Sequence, residues 1–485
     1  MLGNMDDISF ISTGELARRI RSREIGCAEI LEATLDRVER YDGAINAIVV
    51  RDVEKARERA KTADAALARG DAVGPLHGVP MTVKECFQLT GTPTTYGVEA
   101  HRDNIAHKNA TTVDRLLWAG ANIFGKTNVP PYLADGQSQN PIYGRTNNPW
   151  NLERTPGGSS GGAAAAVCAG MSYLEVGSDI ASSVRNPAHF CGLFGLKTTY
   201  GIISVRGKSL APTAPDDDIS VIGPIARSAS DVELALSVIA GPDDAAPSAF
   251  PFALPPEHRM RLRDFRVAMI YDDSFAPVDD EVSNQLRTLA DFLRAQDATV
   301  DEARPALESE RLFNTYMLLL RATNGARASE ADFAKQQEMT ARLAPDAIDM
   351  ASMTLRGATM SHRRWLQLNI ERRRIQDAWD ALFTRYDIVL CPPLATAAHP
   401  HSNEPVASRM LTVNGKQVLY MKQLFWAGYT GVAYLPSAVA PIGLSPENLP
   451  IGVQIVGPQY HDLRCVRFAQ LLEQQYRSFV APPGY

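Results

Sequence analysis

The 485-residue chain contains six cysteines and no C-x-x-C pair. Cys27, Cys86, Cys168, Cys191, Cys391 and Cys465 are scattered, which excludes a disulfide scaffold and suits a reducing compartment. There is no run of one charge: 49 Lys and Arg face 55 Asp and Glu, a formal net charge of −6. That balance argues against nucleic-acid and anionic-membrane partners. No stretch of about 18 apolar residues occurs, so a membrane-spanning helix is not expected. Met1 to Phe10 carries Asp6 and Asp7 and lacks an apolar core of signal-peptide length. A cytoplasmic, soluble enzyme is the expectation. H-E-x-x-H is missing, so zinc hydrolysis lacks its ligands, and the missing S-x-x-K disfavours a penicillin-binding type of serine enzyme.

What is present is a large apolar fraction, 45% of residues, enough for a substantial core. The first seventy residues read as helices. Ser12 with Glu15 marks a helix start before Leu16 to Ile20, Ile30, Leu31, Leu35 and Val38 follow helical spacing, and Asp52 to Ala68 reads as a surface helix. These helices could pack on the core or form a homodimer contact. From Gly74 strands and helices alternate: strand Val79 to Lys84, helix Thr111 to Ala119, strand Ala121 to Phe124, small-residue helix Ala163 to Ala169, strand Tyr173 to Val176 and a loop over Gly177 to Asn186. Such alternation predicts an α/β core. Residues 242 to 262 are Pro- and Ala-rich and read as a surface excursion, and 277 to 385 is predominantly helical. The arginines at 363, 364, 372, 373 and 374 read as a solvated helix face. Ile388 to Cys391 and Ala433 to Ile442 return to strand character, and His461 to Tyr476 closes the chain as a helix.

Three segments carry chemistry. Pro156 to Gly162 is the densest glycine-serine stretch. No lysine follows as a P-loop requires. Ser159 and Ser160 both fit G-x-S-x-G, but no strand precedes them, as a nucleophile elbow needs. A glycine loop lining a pocket at a helix N-terminus fits best, with a merely tight loop as the alternative. Gly177 to Pro187 follows a strand and is rich in small residues, so its amides could face a ligand. Asp179 and Arg185 are expected to pair and fix that loop. Lys84 ends an apolar strand, where burial would lower its pKa and make the neutral amine a base. A lysine snorkelling to solvent is the alternative. His189 lies near Ser183 but reads as a packed loop residue.

Lys84, Pro156-Gly157-Gly158-Ser159-Ser160-Gly161-Gly162 and Gly177 through Ser183 together resemble the amidase signature family. The spacing of 24 between Ser159 and Ser183 (183 − 159) supports the resemblance. Further matches are Pro141 to Gly144, Thr146 to Asn151, Gly192 to Lys197 and Leu449 to Gln454. The resemblance implies one α/β domain, 1–485, around a central mixed sheet flanked by helices. Within it 1–70 would be N-terminal helices, 71–241 the signature core, 242–414 a variable helical insertion or lid, and 415–485 the rest of the core. It also implies a Ser–cis-Ser–Lys triad. Ser183 would be the nucleophile, Ser159 the proton relay in a non-proline cis linkage, and Lys84 the base. Amides of Ile180, Ala181, Ser182 and Ser183 would form the oxyanion hole. By the same analogy Asp135, Gly136, Gln137 and Ser138 would lie near the pocket, with Gly136, Gln137 and Ser138 binding substrate. No metal or organic cofactor is implied.

Two positions depart from the family pattern. Ala181-Ser182 replace a Gly-Gly pair, and a β-carbon there would cost about 1 kcal/mol if φ must be positive. Glu85 replaces the aspartate common after the lysine. The expected substrate is a small or aryl amide, or a carbamate (urethane). The alternatives are the catalytic component of a glutamine-dependent tRNA amidotransferase (its A subunit) and an inactive amidase-fold binding protein. Met317, Leu318, Leu319, Met350 and Met353 could supply an apolar lid wall or belong to the core.

Overall fold

The protein is described by a computed structural model covering residues 8–210, 217–243, 251–325 and 328–485. Helix α1 (Thr13–Arg21) starts where the Ser12 hydroxyl accepts the Glu15 N–H at 3.1 Å. Helix α2 (Cys27–Ile45) buries Ile30, Leu31 and Val38 along one stripe. The expectation of an all-helical start fails at strand β1 (Ile48–Arg51), too short to show a periodicity between two long helices. Helix α3 (Val53–Arg69) ends at Gly70 in the left-handed conformation.

Strands β2 (Pro80–Lys84) and β3 (Asn122–Thr127), separated by helix α4 (Thr111–Trp118), are parallel. With β1 they make a small sheet of order β1-β3-β2. Pro80 is tolerated because β2 is an edge strand, where one ladder N–H is dispensable. A short hairpin pairs the two-residue strands β4 (Gln139–Asn140) and β5 (Gly144–Arg145).

Helix α5 (Gly161–Cys168) is buried on every side. Its small residues allow backbone-to-backbone approach: a Cβ on Gly162 would stand 2.3 Å from the Asn128 nitrogen. Then come β6 (Glu175–Asp179), helix α6 (Arg185–Cys191), β7 (Phe194–Lys197), β8 (Val221–Ala226) and helix α7 (Ala229–Ile239). Gly177 to Asp179, expected as loop, completes β6, because its ladder to Val221–Gly223 needs no apolar side chains.

Beyond the proline-rich stretch, part of which lies outside the described residues, come β9 (Arg266–Met269), helix α8 (Asp280–Ala295) and β10 (Thr299–Glu302). Four helices follow: α9 (Ser309–Gly325), α10 (Glu330–Ala341), α11 (Met350–Ala358) and α12 (His362–Phe383). The arginine run on α12 is not wholly solvated. Arg372 is buried against Asp218 and the Tyr434 ring, whereas Arg373 and Arg374 remain exposed. The chain closes with β11 (Ile388–Cys391), the hairpin β12 (Met410–Val413) and β13 (Lys416–Leu419), helix α13 (Leu424–Gly431), β14 (Ser437–Leu444), β15 (Pro450–Val456) and helix α14 (Asp462–Gln475).

The central sheet has eight strands in the order β10-β9-β11-β15-β14-β7-β8-β6. It is mixed: β10, β9 and β11 are parallel and the remaining pairings antiparallel. Helices α6, α7, α8 and α14 pack against it. The small sheet stands beside β6, joined by the Thr82 N–H to Ser172 Oγ (3.0 Å) and by Thr127 Oγ1 to Glu175 Oε1 (2.7 Å). That junction carries the end of β2 to the end of β6.

Candidate active site

Lys84 closes β2 and has no exposed surface. Its Nζ donates to Ser159 Oγ at 2.7 Å, to Ser178 Oγ at 3.0 Å and to the Ser178 carbonyl at 3.4 Å. Burial lowers its pKa from 10.5 to about 8, with the Lys208 cation adding in the same direction. The neighbouring buried carboxyl, Glu175, is pushed up to about 7 by burial despite hydrogen bonds from Thr127 and the Val176 N–H. Desolvation thus draws both groups towards their neutral forms.

Ser159 sits in the glycine loop that opens α5, and the Gly158–Ser159 peptide is cis. The loop is held from below. Ser138 Oγ accepts the Gly161 N–H at 2.9 Å and donates to the Gly157 carbonyl at 3.2 Å. The Ser160 N–H reaches the Ser183 carbonyl at 3.2 Å, tying the two serine loops together.

The second loop turns on Asp179. Its carboxylate accepts N–H groups of Ser182 (2.9 Å), Val184 (3.0 Å) and Arg185 (3.3 Å) and pairs with the buried Arg185 guanidinium at 2.9 and 3.0 Å. Burial alone would raise Asp179, but Arg185 and the loop amides hold it down at about 2. Ser182 adopts φ 77°, the left-handed region, whereas Ala181 does not. The Ser182 N–H, expected as an oxyanion donor, is donated to Asp179 in this structure. The N–H groups of Ile180, Ala181 and Ser183 have no acceptor among the described residues.

A cavity of about 260 Å³ opens over this arrangement, with Ser159, Ser178, Ile180, Ala181 and Ser183 in its wall and Ser182 outside it. Among the described residues no group of three or more His, Cys, Asp and Glu side chains is gathered as metal ligands would be.

A family model described as Amidase matches residues 29–466. The chain belongs to the amidase family. The A subunit of the glutamyl-tRNA(Gln) amidotransferase of Anaeromyxobacter dehalogenans (strain 2CP-C) is 30% identical over 496 residues, covering 97% of each chain. An acylamidase of Rhodococcus erythropolis is 32% identical over 478 residues, covering 96% of each. The solved structure of 6-aminohexanoate cyclic dimer hydrolase superposes with a TM-score of 0.79 at 27% identity, covering 98% of this chain and 99% of the other.

In this member of the amidase family the remaining expected site residues divide. Gly136 lines the cavity, and a Cβ there would meet Tyr420 Oη at 2.3 Å. Gln137 does not face it: its amide exchanges hydrogen bonds with the Ser402 backbone at 2.8 and 2.9 Å. Ser138 braces the glycine loop instead of the pocket. Asp135 is in the wall but is bound by both terminal nitrogens of Arg409 at 2.7 and 2.8 Å. Met317, Leu319 and Met353 are core, and the helices of the insertion face the cavity through Leu320, Arg321, Asn324 and Thr354, with Leu394, Val406 and Ala407 added from its later part. Sequence reasoning missed Tyr420, Arg321 and Lys208, which carry no motif. His189 is buried: it accepts the Gly452 N–H on Nδ1 (2.8 Å), so Nε2 carries the proton and donates to the Thr396 carbonyl. Burial lowers its pKa to about 4. Glu85 binds the N–H groups of Thr95 and Tyr96, a structural task a longer carboxylate can fulfil.

Proposed function

We propose that this chain hydrolyses a carbon–nitrogen amide bond through an acyl-enzyme on Ser183. The observation that carries the reading is the 2.7 Å contact between a desolvated lysine and Ser159, in a cavity wall shared with Ser183. Neutral Lys84 accepts the Ser159 hydroxyl proton while Ser159 takes the proton of Ser183 Oγ, which attacks the carbonyl carbon. The oxyanion is received by the N–H groups of Ile180, Ala181 and Ser183, each donor contributing about 3 kcal/mol to the transition state. Ser159 returns a proton to the departing nitrogen, the C–N bond breaks, and Lys84 restores the relay. Water then attacks the ester by the same route, releasing the acid and free Ser183. Carbamates fit the same chemistry, because attack again forms a tetrahedral oxyanion.

Leu133, Ile180, Leu320, Leu394, Met421 and Leu424 give the cavity a largely apolar wall, which supports an acyl or aryl group over a small polar amide such as glutamine. The likeness to the amidotransferase component supports a second reading, that of a protein delivering ammonia from glutamine within a larger complex. Glutaminase activity with co-purifying partner subunits would establish that reading. A fluorophosphonate probe tests the main one: it labels the wild type and not Ser183→Ala. A wild type that resists labelling overturns the proposal and leaves the inactive binding protein standing.

A further inference from the structure

Helix α9 presents Leu320, Arg321 and Asn324 to the cavity, a spacing that places all three on one helix face. The helix is fixed there from two sides. The Tyr316 hydroxyl, one turn before Leu320, donates to the Ile180 carbonyl at 3.1 Å, joining α9 to the proposed oxyanion loop. On α11, Gly357 leaves room for the Arg321 stem, since a Cβ on it would lie 2.3 Å from Arg321 Cβ.

The other charges of the cavity wall are matched. Asp135 is held by Arg409, and Lys208 lies 2.5 Å from Ser220 Oγ and 3.6 Å from the Asp217 carboxylate. Arg321 differs. It makes no hydrogen bond or ion pair among the described residues, and its Nε is fully buried with no partner. Burial lowers its pKa. An arginine nitrogen withdrawn from water with no acceptor is costly, and a guanidinium that faces a cavity is completed by what enters the cavity.

We propose that Arg321 is the substrate anchor of this site and that the amide cleaved carries a carboxylate, which the guanidinium fork binds through two N–H donors. The inference rests on the amide-hydrolase reading and deepens it to a substrate class: acidic amides, with the apolar wall around the segment between the carboxylate and the scissile bond. Arg321 is a specificity residue and takes no part in bond making or breaking. Planar, bidentate recognition is what arginine supplies and lysine does not.

The test is equilibrium titration of the full-length Ser183→Ala protein, in which nothing is turned over. Two matched pairs are compared: glutaric acid monoanilide with pentananilide, and N-acetyl-4-aminobenzoate with acetanilide. These place the carboxylate on the acyl side and on the amine side. In at least one pair the carboxylate is expected to bind about tenfold to a hundredfold tighter. Adding Arg321→Met should erase that preference while the neutral member keeps its affinity, and Arg321→Lys should retain part of it. Equal or tighter binding of the neutral member in both pairs overturns the proposal, as does a carboxylate preference that survives Arg321→Met. The matched-pair comparison stands even if Arg321→Met fails to fold. Failure of the hydrolase reading appears elsewhere, in absent fluorophosphonate labelling, and the two outcomes are independent.

Discussion

Lys84 Nζ and Ser159 Oγ stand 2.7 Å apart, on side chains with essentially no exposure to solvent. A lysine so placed can act as the proposed base only when neutral. With the Lys84 pKa lowered to about 8, kcat/KM should rise with pH and level off above an inflection near 8. Lys84→Ala should lower kcat by about a hundred- to ten-thousand-fold, the usual range for a general base. A pH–rate profile with an anilide or a carbamate checks both. Full turnover by Lys84→Ala near neutral pH would remove the lysine from the mechanism.

The same burial has a stability consequence. Between pH 8 and 10.5 the unfolded chain still holds the Lys84 proton and the folded chain has released it, so wild-type stability rises with pH across that window. Lys84→Met lacks this dependence. Its stability advantage should be greatest below pH 8 and shrink by about 3 kcal/mol towards pH 10.5. Denaturant midpoints of the two proteins at pH 7 and 10.5 give the comparison, and a constant difference would mean that Lys84 is not desolvated.

Ser182 is an L-residue at φ 77°, with a buried hydroxyl that has no partner and an N–H that binds Asp179. Ser182→Gly removes the β-carbon and the orphaned hydroxyl at the cost of a more flexible unfolded chain. The net expectation is a gain of about 1 kcal/mol in stability, with labelling of Ser183 retained. A large drop in labelling with the fold intact would show that this residue, and not only Ile180, Ala181 and Ser183, shapes the oxyanion loop.

The sequence made the α/β class legible through alternating strand and helix signatures, whereas Lys84, Ser159 and Ser183 were linked only by the resemblance of an apolar strand end, a glycine loop and a small-residue turn, taken together, to the amidase signature family. β9 and β10 escaped because short strands among long helices leave no period to read. Gln137 and Ser138 lie outside the cavity wall for a related reason. Sequence neighbourhood places them beside the pocket, but side-chain direction is set by Ser402 and by the glycine loop, both distant in sequence. Arg321 and Tyr420 were invisible, because facing a cavity depends on which side of a helix or turn the tertiary fold uncovers.

Asp179 and Arg185 form a fully buried pair, and they set the loop that presents Ser183. In Asp179→Asn the Arg185 charge keeps Thr430, Gln454 and the Ala427 carbonyl as neutral partners but loses its counter-charge. Breaking a buried pair from one side costs about 3 to 5 kcal/mol. The Ser182 and Val184 N–H groups also lose a carboxylate acceptor, so kcat should fall as the loop relaxes. Asp179→Leu combined with Arg185→Met removes both charges and should recover much of the stability, because paired buried ions gain little over well-packed apolar side chains. Activity should not return with it, since nothing then holds the Ser182 and Val184 amides. Chemical denaturation beside fluorophosphonate labelling separates the two effects. Recovery of both together would show that the pair serves packing alone and that the loop holds its shape without Asp179.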